Sequence, residues 1–163
     1  MLSPNQAGTP SASSAGNANQ LQSPQLKYSA NIQKIDGCPP VECVSVDCQP
    51  YRFAFAKIDN RAFTPVALIN PQRTLRGRPV AQCCTCYSLS VFQTFEQLKA
   101  RALEGLKNSP QFLKKIGDHF IRMDIRSVDG ACTTPTGTGH FDFFEFATFD
   151  GPDSVREHGK LMP

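Results

Sequence analysis

Residues 85–107 read TCYSLSVFQTFEQLKARALEGLK, and two different periods run through them. Residues 85–91 alternate, with Tyr87, Leu89 and Val91 on one face and Cys86, Ser88 and Ser90 on the other. That period of two predicts a strand. From Thr94 the period lengthens: Phe95, Leu98, Ala102 and Leu106 recur at helical spacing, and Lys99, Arg101 and Lys107 fall off the stripe. Thr94 followed by Gln97 fits a capping box, in which the two side chains satisfy each other's backbone N–H groups. Ser109-Pro110 offers an N-cap and a first helical residue for a second, shorter helix that Gly117 ends. A strand therefore runs directly into a helical pair over about 94–107 and 110–116.

Strands are also expected on both sides of that pair. Upstream, YRFAFAK at 51–57 alternates. Residues 62–69, AFTPVALI, are apolar and β-prone, with Pro65 confining them to an edge or to two short pieces. Downstream, HFIRMDIR at 119–126 alternates, with Ile121, Met123 and Ile125 on the core side together with His119. The last strand is HFDFFEFATF at 140–149, whose alternation slips at Phe143-Phe144 as in a β-bulge. Strands, a helical pair and then more strands give an α+β fold with a mainly antiparallel sheet, not a doubly wound one.

Around this domain, 51–149, lie three segments of different character. Residues 1–26 are uncharged and rich in Ser, Ala, Asn, Gln and Pro, which predicts a disordered tail. Residues 27–50 form a Cys/Pro-rich arm laid on the domain, and residues 150–163 an exposed C-terminal tail. The chain has 163 residues and a net charge of +3, distributed unevenly: 73–126 is net +6 and 127–163 is net −4. The start of the chain has neither a basic nor a long apolar segment, so no secretory signal is expected. Cytoplasmic location follows, with no membrane span.

Seven cysteines without an export signal point to reduced thiols. The alternative fate is zinc, held by Cys38, Cys43, Cys83 and Cys86. Other chemistry is sparse. Gly137 to Gly139 deliver His140 onto the start of a strand, where His140 and Asp142 share a face two residues apart. A histidine and a carboxylate so placed suit acid–base work or a polar ligand. The small-residue face containing Ser88 and Ser90 leaves room for that ligand. Arg73, Arg76 and Arg78 form a loop suited to phosphate or carboxylate. With no interleaved aromatics and no nucleic-acid motif, specific DNA or RNA binding is not expected. The chain has no P-loop, no dinucleotide fingerprint and no Gly-x-Ser-x-Gly.

The order Tyr87-Ser88-Leu89-Ser90-Val91-Phe92, Thr94-Phe95-Glu96, Ile116-Gly117-Asp118-His119 and Gly139-His140-Phe141-Asp142 resembles that of small bacterial proteins without an assigned activity. The resemblance covers about 80–149. Arg52, Ser88-Leu89-Ser90 and Glu145 are in addition similar to the Arg, Ser-x-Ser and Glu elements of ADP-ribosyltransferases, although position 143 is Phe where that family has an acidic or amide residue. That likeness implies NAD as cofactor, its phosphate on Arg52, its nicotinamide against Ser88 and Ser90, and Glu145 stabilising the ribosyl cation. Two functions follow from the sequence. One is a non-enzymatic binding or accessory module that engages another protein, with Arg78, Ser88, His140 and Asp142 as its ligand-binding residues. The other is an ADP-ribosyltransferase-like toxin or effector.

Overall fold

The computed structural model describes residues 24–162. Tyr51–Ala54 (β1) follows the arm, and Ser29–Ile32 (α1) lies within the arm. Val66–Ile69 (α2) precedes a hairpin of Thr74–Leu75 (β2) and Arg78–Pro79 (β3). Then come Leu89–Phe92 (β4), Phe95–Asn108 (α3), Phe112–Ile116 (α4), His119–Met123 (β5), Gly130–Cys132 (β6), His140–Glu145 (β7), Gly151–Ser154 (α5) and Val155–Lys160 (β8). Six strands form one sheet in the order β6-β7-β4-β1-β5-β8, with every pairing antiparallel. The fold is α+β, as the patterning predicts.

Alternation gives each sheet face its own core. On one face Leu89, Val91, Ile121, Met123, Phe141 and Phe143 are buried, roofed by Phe63 and Phe149 from connecting segments. On the other, Phe92 and Phe120 pack with Leu98 and Ala102 of α3 and with Leu161. The predicted capping box is formed: Thr94 Oγ1 accepts from the Gln97 N–H and Gln97 Oε1 from the Thr94 N–H. Replacing Thr94 by Ala is expected to lower stability by about 1 kcal/mol in urea unfolding.

Several expectations need correction. Residues 150–163 are not a tail. They fold into α5 and β8, β8 pairs with β5 from Lys160↔His119 to Val155↔Met123, and Leu161 is buried. Residues 62–69 contain no strand: Ala62 and Phe63 end a 3-10 helix, Asn60–Phe63, and Pro65 (φ −58°) opens α2 instead of interrupting a strand. Asp59 caps the 3-10 helix, its side chain accepting the Arg61 N–H. The second helix starts at Phe112 without a side-chain cap. The Phe143-Phe144 slip is no bulge: β7 pairs in unbroken register with both β4 and β6, and both phenylalanines are buried because both faces are covered there. The register shift falls between Arg122 and Met123 of β5 against β8.

The segment before β1 touches the sheet at two points. Val44 bridges Cys132 at the β6 edge, and Cys48 bridges Ile125. The predicted tail lies mostly outside the described residues, but its last part does not fit a tail. Leu26 bridges Phe146, and the Lys27 N–H donates to the Glu145 carbonyl. Cys38 and Cys84 form a disulfide, so the expectation of reduced thiols fails for this pair. No described helix is long and apolar enough to cross a membrane.

Candidate functional site

The small-residue strand and the histidine strand meet. In the β4–β7 register Ser90 lies opposite Asp142 and Phe92 opposite His140, and opposite residues share a face. Ser88, Ser90, His140 and Asp142 therefore form one polar patch. Its hydrogen bonds run diagonally. Ser88 Oγ donates to Asp142 Oδ1 at 2.7 Å and lies equally close to the Thr85 carbonyl oxygen. Ser90 Oγ is hydrogen-bonded to His140 Nε2. Thr133, which no sequence pattern singles out, pairs with Asp142 in both directions: its Oγ1 accepts the Asp142 N–H at 2.9 Å and its own N–H donates to the Asp142 carbonyl at 3.0 Å.

Two neighbours hold His140 in place. Phe92 packs edge-on against its ring at 5.3 Å between centroids. Gly139 precedes it at φ +74°, a conformation that favours glycine, and a Cβ there would collide with the Gln97 side chain. The capping box of α3 thus fixes where β7 begins. Burial pushes the Asp142 carboxyl above its ordinary value, against the opposing pull of the Ser88 hydrogen bond and the charges of His140 and Arg52.

A serine on a histidine nitrogen is the start of a nucleophile–base pair. The third member is absent among the described residues: Asp142 is engaged with Ser88 and makes no hydrogen bond to His140. Ser88 is 4% exposed and its proton is already committed. The patch can hold a polar ligand through Ser90 and His140, but among the described residues no carboxylate meets the second ring nitrogen of His140.

Arg52 and Glu145 lie on the opposite face. Arg52 pairs with Ile121 of the core, and Glu145 has the parity of Phe141 and Phe143. Three positions separate Asp142 from Glu145, an odd number, so alternation alone puts Ser88 and Glu145 on different sides. The NAD cleft that needs Arg52, Ser88, Ser90 and Glu145 together is not formed. Arg52 is instead structural: Nε donates to the Ala62 carbonyl at 2.8 Å and Nη1 to the Ser90 carbonyl at 2.7 Å. Burial pushes its guanidinium down to about 10, which leaves it charged at neutral pH. Glu145 is 2% exposed and held by Lys27 at 3.1 Å. The zinc set fails as well, because Cys38 is bridged to Cys84 and no longer offers a thiolate.

Arg78 stands apart from the patch, on β3, with Arg73 and Arg76 around the same hairpin. All three arginines are exposed, and none makes an ion pair or side-chain hydrogen bond among the described residues. The turn, Arg76 (φ 50°) and Gly77 (φ 79°), has the two positive φ values of a tight two-residue hairpin. Leu75 on the hairpin and Leu68 and Ile69 on α2 are 39%, 38% and 41% exposed. The sequence marks the arginines; the hairpin and its apolar neighbours come only with the fold. No family model matches the chain, and no curated protein or solved structure is significantly similar to it.

Proposed function

We propose that this chain is a non-enzymatic binding module that holds an acidic segment of a partner protein on the β2–β3 hairpin. The observation that carries this reading is a charge imbalance on an exposed surface. From Asn60 to Phe95 the chain contains Arg61, Arg73, Arg76 and Arg78 and no Asp or Glu. Three of these arginines crowd one small hairpin with no acidic side chain of their own to meet. Arginine at positive φ is disfavoured where Asn or Gly fits better, so the turn carries Arg76 at a cost in stability. A planar guanidinium accepts carboxylates bidentately. Leu68, Ile69 and Leu75 add apolar anchors beside the charge.

The same surface argues against other partners. It carries no exposed aromatic for stacking bases. Three cations fall short of the roughly four to eight that hold a segment on an anionic bilayer. A cytoplasmic setting belongs to the proposal together with a disulfide that cycles, since cytosolic disulfides are transient and redox-responsive as a rule.

Binding of a synthetic Glu/Leu-rich peptide, followed by fluorescence anisotropy, is expected to weaken at least about 30-fold in the Arg73, Arg76 and Arg78 triple change to Glu, or about 2 kcal/mol. Affinity is also expected to fall with salt. Equal or tighter binding to duplex DNA or to anionic vesicles overturns the reading.

A further inference from the structure

Cys83 joins two consecutive 3-10 turns: it ends Val80–Gln82 and caps Cys84–Tyr87. The Cys86 N–H donates to the Cys83 carbonyl at 3.0 Å. In 3-10 geometry, residues three apart eclipse one another. That backbone bond closes the turn and brings Cys83 and Cys86, three residues apart, to the same side of it. Cys84, between them, is taken by Cys38.

The two thiols differ in ways that suit different roles. Cys83 is half-buried and reachable, whereas Cys86 is buried in the cluster with Ile32, Ala67, Val80 and Tyr87. Thr85 Oγ1 lies 3.5 Å from Cys83 Sγ. Burial pushes the Cys83 thiol up, but the hydrogen bonds from Thr85 and Cys86, side chain and backbone, bring it below its ordinary value. Burial pushes Cys86 up to about 12, helped by its bond to Cys83 and by the charge of Asp142, against a smaller opposing pull from Arg73. A reachable thiolate beside a buried partner thiol is the arrangement of an attacking and a resolving cysteine.

We propose that Cys83 and Cys86 are a redox-active dithiol that takes oxidising equivalents from low-molecular-weight disulfides. The Cys83 thiolate attacks one sulfur of the disulfide RSSR; the S–S bond breaks, RS⁻ leaves, and a Cys83–S–SR mixed disulfide forms. Cys86 then loses its proton and its sulfur attacks Cys83 Sγ. The Cys83–Cys86 bond forms, a second RS⁻ departs, and that proton ends on the released thiol. Two electrons pass from the dithiol to RSSR, and the Cys38–Cys84 bond is untouched.

The test uses the full chain with oxidised glutathione, an acid quench, alkylation and peptide mapping. The expected result is loss of two alkylatable thiols, mapped to Cys83 and Cys86, after a transient glutathione adduct on Cys83. Cys86→Ser is expected to retain that adduct at one per chain. Iodoacetamide at pH 7 is expected to label Cys83 at least ten times faster than Cys43, a half-buried thiol that burial and then the charges of Glu42 and Asp142 push up to about 11. Three results overturn the proposal: adducts mapping first to Cys43 or Cys48, a stable adduct on wild-type Cys83 without a Cys83–Cys86 bond, or scrambling of Cys38–Cys84. The wild-type mapping stands whether or not the variants fold.

Discussion

A chain ending at Ser154 is expected to lose its cooperative thermal unfolding transition. The residues removed look dispensable, since β8 is Val155–Lys160 and most of its side chains are exposed. Their contribution lies in the backbone and in one side chain. β8 pairs with β5 along the whole of His119–Met123, and the Leu161 N–H donates to the Asp118 carbonyl at 2.9 Å. Leu161 is 2% exposed and packs with Phe92, Leu98, Ala102 and Phe120 beneath α3. Without β8, β5 becomes an edge strand, and it carries Ile121 and Met123 of the main core. Leu161→Ala alone is expected to cost about 3 kcal/mol. A domain of this size holds only about 5–15 kcal/mol in total, so losing the strand and the leucine together removes most of that margin. Near-ultraviolet circular dichroism against temperature reads the outcome. A sigmoidal melt within a few degrees of the full chain's would show that β8 is an ornament.

That strand also shows where the sequence stops being readable. VREHGK has no alternation to detect, because on an exposed edge few side chains are selected for burial. Charged residues there keep other strands from pairing with the edge, and the same charges imitate a solvated tail. The central strands behave oppositely. Leu89 and Val91, and Phe141 and Phe143, are buried on one face, so alternation places Ser88, Ser90, His140 and Asp142 on the other. What alternation cannot supply is register. It does not say that Ser90 faces Asp142 yet bonds His140, or that Ser88 takes the carboxylate the histidine lacks. The side Arg52 takes relative to Ser88 is likewise set by register, through the pairing of Tyr51 with Phe92, and the side of Glu145 by the unbroken register of β7. The Cys38–Cys84 disulfide is not legible in the sequence either, because its partners are 46 residues apart and only the docking of the arm brings them together.

The arm's first residue carries the second large effect. Lys27→Met is expected to destabilise the protein by about 3 kcal/mol at pH 7.5, the cost of leaving a buried charge without its partner. Lys27 Nζ meets Glu145 Oε1 at 3.1 Å and sits over the rings of Tyr28 and Phe149 at 6.0 and 5.9 Å. Methionine keeps the aliphatic stem's packing and deletes the ammonium, with its charge and its hydrogen bonds to Glu145 and to the Phe149 carbonyl. Glu145 Oε2 is buried and has no hydrogen-bond partner among the described residues, so the lysine is the main compensation for this carboxylate. Burial pushes the Glu145 carboxyl above its ordinary value even with the lysine in place, and it also pushes Tyr28 up to about 12, aided by the Glu145 charge. A carboxyl raised in the folded state binds its proton more tightly there than in the unfolded chain. Its contribution is therefore most favourable below the unfolded value and is lost as pH rises through the folded one. Removing Lys27 widens that gap, so the deficit of Lys27→Met should shrink as pH falls toward about 4 and approach zero only below the ordinary glutamate range, where both states are protonated. Glu145→Gln in the same background should restore most of the loss at pH 7.5, since it removes the charge that lacks a partner. Urea unfolding at the two pH values decides the matter: an equal deficit at both would place the role of Lys27 in packing and backbone pairing, not in its charge.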